Sequence, residues 1–502
     1  MQPEQQLQQL KSILAEISDL NFATALLGWD QQTYMPPGGA ENRGHHLATL
    51  QQISHIKFVS DEVGKLLDDL QPYAAQLDPD SFDARLVKVT RRDYEREIRV
   101  PVDWVTEFAL ATTAAHEAWT KARAENDFPH FQPHLEHLLD LAHRYAEFFA
   151  PYDHVYDTLL DVFEPGMKTV DVKEIFNSLR PQQVALIKKI ASCPQVDNSF
   201  MFLTYDEQKQ WDLGVEIITQ MGYDWNRSRL DKTVHPFTTS FGLGDVRITT
   251  RVSPNYLASA LFGTLHEAGH AMYGMGADAS MDRTPLFGGA SLGVHESQSR
   301  MWENLIGRSY PFWQYFFPRL QQIFPSQLGN ITLDAFYKGI NKVQPSFIRV
   351  EADEATYNLH IMLRMELEIA MMEDKLAVKD LPEAWNARFQ EYLGITPPDN
   401  AQGVLQDVHW SGGLMGYFPT YALGNLISAQ LWECILADIP DLPEQIRQGE
   451  FSSWLAWLRE KIHIHGAKFE PQELVQRVTG SKIDPAPYMR YLTQKYSSIY
   501  GF

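Results

Sequence analysis

The chain is 502 residues long and carries 64 acidic against 43 basic residues, a formal net charge of −21. A surplus of that sign repels nucleic acid and anionic membrane, so neither is expected as a partner. Its 44% hydrophobic and 21% charged content suits a soluble globular protein with a large core, and it has no run of eighteen apolar residues to span a membrane.

Two cysteines, Cys193 and Cys434, cannot build a disulfide framework. The opening Met-Gln-Pro-Glu lacks a basic start and an apolar core, so a cytoplasmic protein is expected. Residues 4–34 place Leu7, Leu10, Ile13, Leu14, Ile17 and Leu20 at helical spacing and end at Met35-Pro-Pro-Gly-Gly39. A second helix is expected from near Ala40 to about Leu70. Its adjacent His45 and His46 point about 100° apart and are a poor metal pair. Four more helical stretches fill Ser81 to Cys193, with breaks near Pro101, Pro129 and Glu164-Pro-Gly166. No linker, repeat or low-complexity tract divides the chain, so one domain is expected over 1–502.

The texture changes at Thr233. The β-branched and aromatic run to Val252, with a glycine-bearing turn at Gly242 to Gly244, predicts a small antiparallel sheet. It is followed by Leu261-Phe-Gly-Thr-Leu-His-Glu-Ala-Gly-His-Ala-Met-Tyr-Gly274, which holds H-E-x-x-H as His266, Glu267 and His270. On a helix, four residues turn through about 400° and rise about 6 Å, so both imidazoles lie on one face. They can reach one Zn²⁺ there, with Glu267 beside it to take a proton from water. Two core histidines at this spacing are the bland alternative. A catalytic zinc needs a third protein ligand, and Glu296 supplies a carboxylate on the next expected helix, which also carries Glu303, a partner for a ligand or part of a solvated acidic face. Beyond it, residues 333–376 predict helices, the longer from about Val350 to Asp374. Residues 396–425 predict an irregular stretch rich in Gly, Pro and aromatics, and 426–502 return to helix.

Six pieces stand in order: His235-Pro-Phe237, Asp245-Val-Arg-Ile-Thr249, His266-Glu-Ala-Gly-His270, His295-Glu-Ser-Gln298, Ile348-Arg-Val-Glu-Ala-Asp353 and Gly403-Val-Leu-Gln-Asp-Val-His-Trp410. With them the chain resembles the carboxypeptidase Taq family of zinc metallocarboxypeptidases. The resemblance implies a mainly α fold, a single large helical body with a deep active-site groove and a small sheet near the zinc helix. It also implies a homodimer acting on peptides with a free C-terminus.

By that resemblance, one Zn²⁺ per chain (Co²⁺ being a possible substitute) sits on His266, His270 and Glu296. Glu267 is the general base, and His409, Tyr417 and Tyr421 are candidate donors to the developing oxyanion, Tyr421 being preferred over Tyr417. Arg349 is favoured to hold the substrate carboxylate, a buried ion pair with Asp353 being its alternative. Arg247, His235 and Gln406 are candidates to line the groove. Two rivals stay open: a zinc oligopeptidase or dipeptidyl carboxypeptidase of similar helical outline, and a scaffold whose zinc is only structural. An intact Glu267 argues against the last.

Overall fold

The helical periodicity of the sequence is realised over most of the chain in the computed structural model, which describes residues 1–502. The opening helix is Pro3–Thr33, stopped by the proline pair as expected. The single helix expected from Ala40 to about Leu70 is two, Ala40–Phe58 and Asp61–Ala74. Ser60 separates them in extended backbone, its hydroxyl accepting from the Val63 N–H as an N-cap. Helices Phe82–Arg99, Val102–Glu125, Phe128–Glu147 and Thr169–Ala191 follow, with a single turn at Asp157–Leu160. The break expected near Pro129 falls just before it. Asn126 ends one helix in the left-handed region at φ 56°, and Asp127 caps the next, leaving Pro129 in its first turn.

The mainly α expectation holds, and the sheet lies directly before the histidine helix. It has three strands, β1 (Leu230–Lys232), β2 (Thr238–Ser240) and β3 (Val246–Thr250), in the order β1-β3-β2. β2 pairs antiparallel to β3 as the glycine turn predicts, but β1 adds to the other edge in parallel. The sheet is therefore mixed, because a strand lying just before the expected run starting at Thr233 pairs with the far edge of β3. Register puts Thr238 opposite Ile248 and Ser240 opposite Val246. Side chains alternate across a sheet, so these four share one face, and Thr239 and Arg247 share the other. Val246 and Ile248 are fully buried on the first face.

The helix Leu257–Met275 packs on that face and carries the H-E-x-x-H residues. The helix Leu292–Arg300 runs against it and continues into a π-helical turn, Met301–Ile306, closed by Gly307 N–H to the Trp302 carbonyl at 2.9 Å. Close approach depends on Gly269: a Cβ there would lie 2.7 Å from Ser299 Cα and 2.8 Å from the Gln298 carbonyl oxygen. Gly424, on helix Pro419–Asp438, does the same on the far side, where a Cβ would meet Glu296 Cβ and Cγ at 2.7 Å. The helix expected from Val350 begins only at Tyr357 and ends at Met372. Asp353 delays it, its carboxylate accepting from the backbone N–H groups of Gln344, Ala355 and Thr356.

One large apolar core runs through these elements. A second, smaller core ties Leu7, Leu10 and Leu14 to Val63–Leu70 and Leu86–Val89 near the N-terminus. No helix is long and apolar enough to cross a membrane.

Candidate active site

His266 and His270 project from one face of their helix toward Glu296 on the next. Glu296 Oε2 lies 3.6 Å from His266 Nε2 and 3.6 Å from His270 Nε2, and the three ligand atoms fall within 4.8 Å of one another. Tetrahedral bonds of about 2.0–2.1 Å would set ligand atoms roughly 3.4 Å apart, close to the two 3.6 Å separations from Glu296.

The outer nitrogens are engaged, which fixes how the inner ones face. Glu303 Oε2 accepts from His266 Nδ1 at 2.9 Å, from the position the sequence allowed for it. His270 Nδ1 meets His295 Nδ1 at 3.1 Å. Burial, reinforced by His270, pushes His295 down to about 3, so it is neutral near pH 7. With the proton on His270 Nδ1 and His295 accepting it, both Nε2 lone pairs converge on Glu296 Oε2. Two bare imidazole nitrogens and a carboxylate oxygen make a donor set that fits Zn²⁺, and the structure groups no other His, Cys, Asp or Glu trio in this way.

Arg300, one helical turn after Glu296, donates from Nε to Glu296 Oε1 at 2.7 Å and from Nη1 to Glu303 Oε2 at 3.1 Å. Burial alone would raise both carboxyls. Arg300 and the imidazoles outweigh it, holding Glu296 well below the usual carboxylate range and Glu303 at about 2. This arginine was missed in the sequence, though its spacing of four from Glu296 is a readable helical signal.

Glu267 is buried beside the cluster, and its Oε2 accepts from the Thr238 hydroxyl of β2 at 2.6 Å. No local signal pointed to Thr238.

The Gly403–Trp410 and Ile348–Asp353 signatures meet at Asp407. Arg349 donates to Asp407 Oδ1 from Nε at 3.0 Å and from Nη2 at 2.8 Å, while Arg364 donates from Nε to Oδ2 at 2.7 Å. The ion-pair alternative for Arg349 therefore involves Asp407, not Asp353, whose carboxylate is taken up by the backbone N–H groups of Gln344, Ala355 and Thr356. Arg349 also donates to the Tyr357 hydroxyl at 2.8 Å and lies 4.9 Å from the Tyr421 ring. Tyr357 in turn packs under Arg300, 4.7 Å from its ring centre, so this cluster connects to the trio of His266, His270 and Glu296.

His409 Nε2 stands 3.3 Å from the Tyr421 hydroxyl. Burial, opposed by Asp407 and helped by Arg349 and Arg364, pushes His409 down to about 4. Tyr417 and Tyr421 pack at 5.4 Å, and burial raises both phenols.

Three candidate residues are not brought to this centre by their side chains. Arg247 lies on the sheet face opposite Thr238, paired with Asp245 at 2.7 and 2.8 Å and stacked 4.5 Å from Trp29. Gln406 ties its loop to the 347–349 segment, accepting from Arg349 N–H at 2.8 Å and donating to the Phe347 carbonyl at 2.9 Å. His235 is exposed in the loop between β1 and β2.

The chain matches the family model described as carboxypeptidase Taq (M32) metallopeptidase over residues 9–496. It is 41% identical to thermostable carboxypeptidase 1 of Thermus thermophilus, covering 100% of both chains. It is 40% identical to carboxypeptidase 1 of Bacillus subtilis, covering 97% of each. The crystal structure of an M32 carboxypeptidase from Deinococcus radiodurans superposes with a TM-score of 0.96 at 41% identity, over 99% of this chain and 100% of that one.

Proposed function

Since this chain belongs to the carboxypeptidase Taq (M32) metallopeptidase family, we propose that it is a zinc carboxypeptidase releasing single amino acids from peptide C-termini. The observation that carries the reading is the convergence of His266 Nε2, His270 Nε2 and Glu296 Oε2 next to a buried Glu267. When bound there, Zn²⁺ supplies Lewis acidity, lowering the pKa of water and polarising a carbonyl.

The chain's own residues do the rest. Glu267 takes the proton of the attacking water and returns it to the departing amine. His409 and Tyr421 stand together to donate to the charge developing on the scissile oxygen, Tyr417 being the next candidate. Arg349 and Arg364 draw on the single carboxylate of Asp407. Positive charge is left to spare, and a C-terminal carboxylate would match it. β2 is an edge strand of the sheet, a place where an extended peptide can add as a further strand. Arg247, His235 and Gln406 act in this reading by shaping the loops and strands of the groove wall. The homodimer and the cytoplasmic location expected from the sequence belong to the same proposal, and light scattering tests the first.

The test is incubation with a short unblocked peptide, with and without chelator, and identification of products by mass. Stepwise loss of C-terminal residues, abolished by chelator and restored by zinc, is expected. Dipeptides or internal fragments would instead identify an oligopeptidase, and no cleavage at any zinc level a structural site.

A further inference from the structure

We infer that Thr238 is a positioning residue for the general base, through a hydrogen bond that holds one oxygen of Glu267 and leaves the other for the reacting water. The inference rests on Glu267 being the base.

The Thr238 hydroxyl lies 2.6 Å from Glu267 Oε2 and 3.1 Å from the Glu267 backbone carbonyl oxygen. It has one proton, and the shorter contact to a charged acceptor takes it. Glu267 Oε1 makes no such bond to the protein. A carboxylate at the end of three rotatable torsions would otherwise sample several orientations, and a general base works only within hydrogen-bond reach of its proton. The Thr238 side chain cannot face elsewhere. Its register opposite the fully buried Ile248 directs it to the sheet face on which the histidine helix packs. A Cβ at Gly274, two helical turns beyond Glu267, would lie 3.4 Å from Ser240 Oγ, so the helix rests on β2 along its length. The sheet thus fixes the base from outside the helix that carries it, while Glu303 and His295 fix the two histidines. This gives the sheet a chemical task besides supporting the helix.

The experiment compares zinc-loaded parent, Thr238→Val, Thr238→Ser and Glu267→Gln on one free-C-terminus peptide, with zinc affinity measured by chelator competition. Valine keeps the β-branched shape and removes the donor. It should lower kcat by roughly 10- to 100-fold while KM and zinc affinity stay within about threefold of the parent. Serine restores most of kcat. A valine variant at parent kcat overturns the inference, and so does a serine variant no better than valine. A fall in kcat that tracks a matching loss of zinc affinity overturns it as well, since Thr238 would then support the fold around the metal. Should the valine variant not fold, Thr238→Ala takes its place with the same expected fall in kcat, and parent kcat in that variant overturns the inference equally. Glu267→Gln separates the two levels: if it retains parent turnover, the base assignment fails whatever Thr238 does. If it is inactive while Thr238→Val turns over at the parent rate, only the positioning fails.

Discussion

At the scale of single residues, the proposed mechanism divides labour between groups that meet substrate and groups that aim them. Glu267→Gln keeps shape and removes basicity, so bound metal should persist while hydrolysis falls by roughly 10²–10⁴-fold, read as kcat with metal content by atomic absorption. Glu303→Ala removes the acceptor on His266 Nδ1 and one partner of Arg300. It should weaken zinc binding by about 10–100-fold in a competition titration, with activity recovering at high zinc. Arg349 is best tested through the substrate. Amidating a peptide's C-terminus should slow cleavage by roughly 10- to 100-fold if a charge-assisted bond to the carboxylate is lost. In Arg349→Ala the ratio between free and amidated peptide should shrink toward one. That ratio discriminates because breaking a buried pair with Asp407 also costs stability and slows both substrates alike. An unchanged ratio would leave Arg349 as the structural partner of Asp407.

Secondary-structure elements bring those residues within reach. The histidine helix lies between the sheet and helix Leu292–Arg300, and both approaches are close. Gly269, between the two histidine positions, admits the Ser299 backbone where a methyl group would stand 2.7 Å from its Cα. That neighbour is backbone and cannot swing aside, so Gly269→Ala should push Glu296 away from His266 and His270. The expected cost is about 1–3 kcal/mol in a denaturant melt of the metal-free protein, with zinc affinity falling in step. A variant with parent affinity would show that the helices separate without disturbing the ligands. The π-helical turn after Arg300 places Glu303 for His266, a geometry frequent at functional sites and invisible in apolar periodicity.

Across the whole molecule, buried neutral histidines tie stability to pH. His463 Nε2 donates to Gln298 Oε1 at 3.0 Å. Burial, with Arg459 and His295 reinforcing, pushes it from 6.5 down to about 3. Between those values the unfolded chain binds a proton that the folded one excludes. This stability is therefore fully present above about pH 6.5 and is lost as the pH falls toward 3. His409, pushed to about 4, contributes in the same direction over a narrower window. The thermal midpoint should thus fall steadily below pH 6.5. His463→Gln, which keeps a polar group for Gln298, should flatten that limb relative to the parent, and parallel curves would exclude His463 as a source.

The helical class, the trio of His266, His270 and Glu296, and the place of Glu267 beside it are all legible in the chain, because each is written in local spacing: apolar residues at helical period, two histidines four apart, a carboxylate on the following helix. Asp407 and His409 likewise share one signature. Their partners were settled by packing. Arg349 could have met Asp353 nearby in the chain, but Asp353 commits its oxygens to backbone N–H groups and Arg349 turns to Asp407, fifty-eight residues on. Arg247 stands in a motif as conspicuous as any, yet strand alternation puts it on the face away from Glu267. Thr238 has no motif of its own and reaches Glu267 across twenty-nine residues through sheet register alone. Spacing along one element is local information, while the face of a strand and the partner of a buried charge depend on which elements pack together.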